Sequence, residues 1–265
     1  MSADAALLGS QIRYEQKSYW RNPGAAFFTF AFPLVFFVIL VSLAGGQGDK
    51  SDLGTYVHNG HRVAVKLVQY YTPSILAYAV ASACFLAVTM TLVRQREAGI
   101  LKRMRGTPLP SWAYLGGVIG SSIIVAALLS LLCVVFSVAV YGAYFPMGHL
   151  LPLVATIALA AVAFCALGIA VSSLIPNIDS GPAIVNLPYF VLVFISGTYF
   201  PISGTLNSIS KDLPLRPMIL SMYKVFDPTN TGSLWDGRDL LVLAIWGVAS
   251  TVFAVRHFRW TPRKG

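Results

Sequence analysis

Two stretches, residues 71–93 and 112–140, contain no Asp, Glu, Lys, Arg or His. A helix rises about 1.5 Å per residue, so each stretch is long enough to cross the roughly 30 Å hydrocarbon layer of a bilayer. Only 11% of the residues are charged, whereas soluble domains carry about 25%. These features predict an all-α polytopic membrane protein in which residues 1–265 form a single transmembrane domain.

Further apolar runs extend this pattern along the chain. They predict six transmembrane helices, over residues 24–44, 70–93, 112–140, 153–175, 183–200 and 240–255. Pro33 lies inside the first run and predicts a kink there. Residues 45–69 are predicted to form a polar external loop. Residues 201–238 are predicted to be a mildly amphipathic external segment, interrupted by Pro214, Pro217 and Pro228.

The N-terminal segment, residues 1–23, has a different pattern. On a helical wheel the residues sharing an apolar face are Ala5, Leu8, Ile12 and Tyr19. Arg13, Lys17 and Arg21 form the opposite row at intervals of four residues. This arrangement is typical of a helix that lies in a membrane interface. Glu15 is an exception, because it falls on the apolar side.

The basic residues predict how the chain is oriented in the membrane. They cluster in the N-terminal segment, in residues 94–110 and near the C-terminus, so that twelve Lys and Arg fall on one side and seven on the other. An excess of Lys and Arg is typical of the cytoplasmic side. We therefore expect a multi-pass protein of the cell membrane with both termini in the cytoplasm. The same distribution argues against a nucleic-acid partner.

Residues that would carry chemistry are missing from the expected places. The predicted spans contain no ionisable side chain, so a proton or ion relay within the membrane is not expected. No lysine follows a glycine, which excludes a Gly-Lys-Ser/Thr phosphate-binding loop. The four histidines lie in loops or at span ends, away from a nucleophile that they would activate. We assign no catalytic residue, metal site or cofactor to this chain and do not expect it to be an enzyme.

The loop of residues 94–110, called the central loop below, carries five of the nineteen Lys and Arg residues. Its apolar residues that fall on one helical side are Ile100, Leu101 and Met104, and the surrounding charges are Arg96, Lys102, Arg103 and Arg105. Pro108, preceded by Thr107, is expected to end this short helix. Such a helix could dock in a partner's cleft. Alternatively, the loop is basic only because it lies beside lipid headgroups.

The order Arg96-Glu97-x-Gly99-x-Leu101-Lys102, followed by Thr107-Pro108-Leu109, resembles the "R-E-x-G-x-L, then T-P-L" loop of type-2 ABC exporter permeases. These are six-span partners of a separate ATPase, and the actinobacterial drug and lipid exporters are similar. The resemblance covers nearly the whole chain. It includes Arg21-Asn22-Pro23 and the segment Ser196-Gly197-x-x-Phe200-Pro201.

The resemblance implies a function and a set of partners. The N-terminal helix would lie along the inner leaflet, and the external segment would form a re-entrant helical pair. The central loop would be the coupling helix that contacts an ABC ATPase, which itself binds ATP and Mg. Candidate coupling residues are Arg96, Glu97, Gly99, Ile100, Leu101, Met104, Thr107 and Pro108. Two units, either two copies or two related permeases, would export cargo by alternating access.

The cargo is expected to be hydrophobic or amphiphilic, such as a drug, an antibiotic or a lipid. With no charge in the spans, a cavity would be lined by aromatic and small polar groups. Candidate cavity residues are Phe30, Phe37, Asn186, Phe190 and Phe194. The alternative is that these side chains pack one span against another or face lipid. The motifs Gly116-x-x-x-Gly120 and Gly117-x-x-x-Ser121 permit close helix contact and suggest a seam between subunits.

Two other functions remain open from the sequence. One is a membrane scaffold that recruits a cytoplasmic partner through the central loop without moving cargo. The other is a passive, scramblase-like channel, which would need no ATPase.

Overall fold

The computed structural model describes residues 3–44, 53–58, 61–145, 147–199, 202, 204–227, 230, 232–258 and 260. The α-helices of these residues are α1 (Ala3–Trp20), α2 (Pro23–Ala44), α3 (Leu67–Ala81), α4 (Ala87–Glu97), α5 (Ile100–Arg105), α6 (Ser111–Tyr141), α7 (Leu150–Ser172), α8 (Gly181–Ile195), α9 (Gly204–Ser210), α10 (Leu215–Phe226) and α11 (Gly237–His257). A π-helix, Ser82–Leu86, joins α3 to α4, and a 3-10 helix, Met147–His149, precedes α7.

Five helical segments of the described chain are long and apolar enough to cross a membrane. They are Ala26–Leu43, Val68–Glu97, Ser111–Tyr141, Met147–Ser172 and Gly237–His257. These helices confirm the predicted all-α polytopic fold. The last of them has 21 residues, so it is longer than the predicted span of residues 240–255.

The predicted span of residues 183–200 is a shorter helix in the structure. α8 has 15 residues, which corresponds to about 22 Å, less than the thickness of the hydrocarbon layer. It ends because Gly197 has a positive φ of 75°, a conformation that glycine adopts without steric cost. The buried hydroxyls of Ser196 and Thr198 then bond to each other at 2.7 Å. Phe200 and Pro201 lie outside the described residues.

The predicted polar loop of residues 45–69 contains regular structure. Strands β1 (Leu53–His58) and β2 (His61–Lys66) pair antiparallel, with Tyr56 opposite Val63 and His58 opposite His61. Asn59 and Gly60 stand between the strands in the sequence, and this pair favours tight hairpin turns. Twelve residues of the predicted polar external loop therefore form a β-hairpin, which was not predicted from the sequence.

The span formed by α3, the π-helix and α4 lies in the interior with α7. Gly168 of α7 contacts the backbone of this span, where an added Cβ would come within 3.0 Å of the Phe85 carbonyl oxygen. Thr89 Oγ1 donates to the carbonyl oxygens of Phe85 at 2.6 Å and Gly168 at 3.1 Å. Small residues thus let the two central helices approach closely.

α10 is buried, although its sequence lies in the predicted external segment. It packs against α3, α7 and α11, and its fully buried side chains include Leu215, Met218 and Phe226. Pro214 is the N-cap residue of α10 and Pro217 lies in its first turn, where a missing N–H costs no helical hydrogen bond. These two prolines therefore begin a helix, whereas the sequence analysis expected them to interrupt one.

Candidate functional site

The central loop contains a short helix that is separated from α4 by one left-handed residue. α4 ends at Glu97, and Gly99 has a φ of 69°. The N–H of Arg103 donates to the Gly99 carbonyl oxygen at 3.1 Å, which closes the first turn of α5. Because a residue with a Cβ would be strained at this φ, Gly99 sets the direction in which α5 leaves α4.

The side chains of α5 divide between the interior and the surface. Leu101 is fully buried, whereas Ile100, Lys102 and Arg103 are exposed. Met104 is half-buried against the core, and the side chain of Arg105 lies outside the described residues. Ile100 and Leu101 therefore do not share one face as predicted, because they are adjacent in sequence and point about 100° apart. Leu101 anchors α5, and its neighbours form an exposed surface.

The end of α5 follows the sequence prediction. Thr107 Oγ1 donates to the Met104 carbonyl oxygen at 2.6 Å and lies 3.4 Å from the N–H of Leu109. Thr107 and Pro108 are both exposed. The Thr107 N–H also donates to the Met104 carbonyl oxygen, at 3.0 Å. Pro108 cannot continue the helix, so the helix ends before Thr107-Pro108 as expected.

Arg96 lies in the interior, with only 2% of its surface exposed. Its Nη1 donates to the Ser172 carbonyl oxygen at 3.0 Å and its Nη2 to that of Ile175 at 2.6 Å. The last carbonyl groups of a helix lack intrahelical partners and carry partial negative charge, so a guanidinium is a suitable ligand for them. Arg96 therefore joins the beginning of the central loop to the end of α7. We call this the Arg96 contact.

Glu97 and Gln95 surround this contact. Glu97 Oε1 lies 3.3 Å from Arg96 Nε, and a quarter of the Glu97 side chain is exposed. The Tyr114 hydroxyl donates to Gln95 Oε1, which links α4 to α6. The central loop thus begins from residues fixed to α6 and α7. Its exposed surface includes most of α5 and the residues that follow it.

The helix α1 packs along the glycine residues of α6. Leu8, Gln11 and Ile12 occupy the volume that Cβ atoms on Gly116, Gly117 and Gly120, respectively, would need. Gln16 Nε2 also donates to the carbonyl oxygen of Ser121 at 2.8 Å and to its Oγ at 3.1 Å. The suggested seam between subunits was therefore wrong for these motifs, which hold α1 of the same chain. A small-residue motif permits close approach but does not specify the partner helix.

Glu15 is buried between α1 and the helix bundle, with 8% of its surface exposed. Burial disfavours the ionised carboxylate and raises the pKa of Glu15 above its ordinary value. Glu15 therefore lies on the buried side of α1, as the helical wheel predicted. The carboxyl group opposes the packing of α1 most strongly when it is ionised.

The candidate cavity residues separate into three environments. Phe37 is buried in the core, where its ring contacts those of Phe136 and Tyr141. It therefore cannot face a cavity, and the alternative of packing between spans applies to it. Phe37 lies on the side of α2 that faces α6. The sequence alone did not indicate which side of α2 packs against α6.

Phe30 lines an apolar recess of about 480 Å³ between α1, α2 and α6. Its ring stacks on that of Trp20, with centroids 5.7 Å apart. We call this recess the α1–α2 groove; its lining residues are Trp20, Pro23, Ala26, Phe27, Phe30, Ala31, Leu34 and Leu132.

Asn186, Phe190 and Phe194 lie on one exposed side of α8, four residues apart. The adjacent row of α8, which contains Val185, Tyr189 and Val193, is buried. The Tyr189 hydroxyl there donates to the Tyr78 carbonyl oxygen at 3.1 Å. Ring contacts continue from Phe194 through Tyr199 to Phe36 and Phe32 of α2. We call the exposed rings among these residues the aromatic face; its members are Phe32, Phe190 and Phe194.

Arg216 forms a second buried contact, which the sequence analysis missed. Its Nη1 donates to the Ser196 carbonyl oxygen at 2.9 Å and its Nη2 to Asn207 Oδ1 at 3.2 Å. The guanidinium occupies the space beside Gly197, and the Tyr70 hydroxyl donates to the Gly197 carbonyl oxygen at 3.2 Å. The Arg216 contact therefore fixes the end of α8. The signal available in the sequence was one arginine among the apolar residues at the start of α10.

Comparison with known families gives one result that bears on this geometry. The family model described as ABC-2 type transporter matches residues 7–222, a range that begins in α1 and ends in α10. The comparison with curated proteins gave no match. The matched range contains the central loop, the aromatic face and both arginine contacts.

Proposed function

We propose, from the premise that the chain belongs to the ABC-2 type transporter family, that it exports a hydrophobic or amphiphilic cargo by alternating access. Membership makes the chain a permease component of an ABC transporter, and its five long apolar helices make it a multi-pass membrane protein. Membership also implies an ABC ATPase as partner. We also propose that transport is outward, that both termini are cytoplasmic and that the chain is related to the actinobacterial exporters.

The observation that carries the proposal is the Arg96 contact next to an exposed α5. An ATPase bound to Ile100, Lys102, Arg103 and Pro108 would push on a short helix whose base is fixed to α7 by Arg96. Force on α5 would then be transmitted to α7 directly, because no flexible linker separates α5 from the Arg96 contact. Of the candidate coupling residues, Arg96 and Leu101 would position the helix, and the exposed ones would make the contact. ATP and Mg would be bound by the ATPase.

The aromatic face supports a hydrophobic cargo and a second permease unit. Phe190 and Phe194 are each about half exposed, and no charged residue lies in α8. A second copy or a related permease placed against α8 would enclose these rings and Asn186 in a shared cavity. An apolar cavity with one amide suits a drug, an antibiotic or a lipid.

The first experiment is a pull-down of the tagged full-length chain from its native membrane, followed by an ATPase assay. We expect an ABC ATPase to co-purify and its turnover to be stimulated by hydrophobic compounds. Proteoliposomes that leak cargo without nucleotide would instead favour the channel. A bound partner that hydrolyses no ATP would favour the scaffold.

A further inference from the structure

We propose that the α1–α2 groove binds one acyl chain of an anionic phospholipid, whose phosphate lies beside the basic row of α1. The lipid would come from the leaflet on the side of the central loop. The inference depends on neither the direction nor the cargo of transport.

The groove has the depth of one leaflet. It runs along α2 from Pro23 to Leu34, eleven residues that correspond to about 16 Å. Half of the roughly 30 Å hydrocarbon layer is about 15 Å. Its walls are apolar, and the rings of Trp20 and Phe30 stack on each other along them. A single acyl chain entering beside α1 would therefore fill the groove to the middle of the bilayer.

Three cations lie where the phosphate of such a lipid would be. Lys17 and Arg13 precede Trp20 by three and seven residues, so they share its side of α1, and Arg21 follows directly. All three side chains are exposed. In the described part of the chain, none of the ion pairs includes them. Trp20 itself is of the residue type that is enriched at headgroup level.

The charges favour an anionic lipid over the other occupants. A neutral lipid would fill the groove equally well but would leave the positive charge uncompensated. A second copy of this chain, related by a two-fold axis through the groove, would bring two basic rows together and add repulsion. Each cation near an anionic membrane surface contributes about 1 kcal/mol, which is about fivefold in affinity.

The test measures the thermal stability of the purified full-length chain in detergent while phosphatidylglycerol is added. Phosphatidylcholine with the same acyl chains is the reference lipid. We expect only phosphatidylglycerol to raise the unfolding temperature in a saturable way. Ala31→Trp, which fills the groove, should abolish this rise. Leu131→Trp, at an exposed position of α6 that does not line the groove, should retain it.

A second variant tests the charges without altering the groove. Arg13→Gln with Lys17→Gln should raise the half-saturating phosphatidylglycerol concentration by about fivefold for each removed cation. Arg103→Gln, an exposed cation of α5, should leave it unchanged. The proposal is wrong if phosphatidylcholine stabilises equally, if Ala31→Trp keeps the response, or if the glutamine variants bind as the unaltered chain does. It is also wrong if light scattering shows that Ala31→Trp dissociates a dimer while phosphatidylglycerol still binds.

Discussion

The Arg96 contact and the Arg216 contact both satisfy carbonyl groups at a helix end, and they lie at the two ends of the helix bundle. Each places a buried guanidinium on carbonyl oxygens where an apolar helix ends: α7 for Arg96 and α8 for Arg216. They differ in what surrounds the charge. Arg96 has the carboxylate of Glu97 at 3.3 Å and an exposed helix beside it. Arg216 bonds to the Asn207 amide, and its Nε is buried without a partner among the described residues.

This difference separates a contact that can be adjusted from one that is part of the core. The Arg96 charge is partly neutralised, and its neighbour Glu97 reaches solvent, so a partner protein has access to the ion pair. The Arg216 charge depends on neutral groups inside the protein. We therefore expect the first contact to matter mainly for coupling and the second mainly for stability.

Replacing Arg216 should have the largest effect on stability. Arg216→Met removes two hydrogen bonds from a charged donor and leaves the Ser196 carbonyl oxygen unpaired, a loss of about 3 kcal/mol. The unfolding temperature in detergent should fall by several degrees. Arg238→Met is the matched control, because Arg238 forms an exposed ion pair with Asp212 that is worth at most about 1 kcal/mol. Equal losses in the two variants would contradict the assignment.

Replacing Arg96 should lower stability less but should uncouple the transporter. In Arg96→Met the end of α7 loses its ligand, yet solvent near the central loop can compensate part of the loss. We expect cargo-stimulated ATP turnover of the complex to fall about tenfold, the equivalent of one charge-assisted hydrogen bond of about 1.4 kcal/mol. Arg94→Met, at an exposed position of α4, should keep full stimulation. Loss of stability alone, with stimulation intact, would mean that Arg96 is only structural.

Glu97 tests whether the neighbouring charge controls the Arg96 contact. Glu97→Lys places a cation beside the guanidinium and should weaken ATPase binding and abolish efflux, while membrane insertion stays intact. Arg103→Glu should have a smaller effect, because a single exposed charge contributes little. Glu97→Gln separates two causes when ATPase binding is measured by co-purification. If it behaves as the unaltered chain does, repulsion of Arg96 explains the lysine variant; if it also fails, the partner needs the carboxylate directly.

Glu15 offers a third buried charge and the smallest expected effect. Because burial raises its pKa, the carboxyl group is held more easily when protonated. The packing of α1 is therefore fully favourable below the ordinary pKa of 4.5 and weakens as the pH rises through the raised value. Spin labels at Ser18→Cys and Ser111→Cys, both exposed, should report a longer α1–α6 distance at pH 8 than at pH 5. Glu15→Gln should remove the pH dependence; an unchanged pH response in this variant would refute the assignment.

The spans and the end of α5 could be predicted from the sequence because the causes are local. A bilayer requires long apolar helices, and α5 ends at Arg105, directly before Gly106, Thr107 and Pro108 in the sequence. The roles of Arg96 and Arg216 could not be predicted in this way. Arginine is equally suited to a partner's carboxylate, a lipid phosphate or a helix end, and only the tertiary fold determines which of these lies within reach.

The environments of the aromatic residues also depend on the tertiary fold. Phe30 and Phe37 are seven residues apart in α2, yet one lines a groove and the other lies in the core. The row of Asn186, Phe190 and Phe194 was easier to find because these residues are four apart, so helical periodicity alone places them on one side of α8. Whether that side lines a cavity stays a prediction.

The π-helix between α3 and α4 changes the rotational phase of the span Val68–Glu97 that contains it. The Ala87 N–H donates to the Ser82 carbonyl oxygen five residues earlier, so this turn holds one residue more than an α-helical turn. One residue corresponds to about 100° of rotation. The side of the span that carries Tyr78 is thereby offset from the side that carries Arg96. A regular α-helix with the same number of residues would turn the guanidinium away from α7, so the π-helix sets the angle at which the central loop meets the bundle.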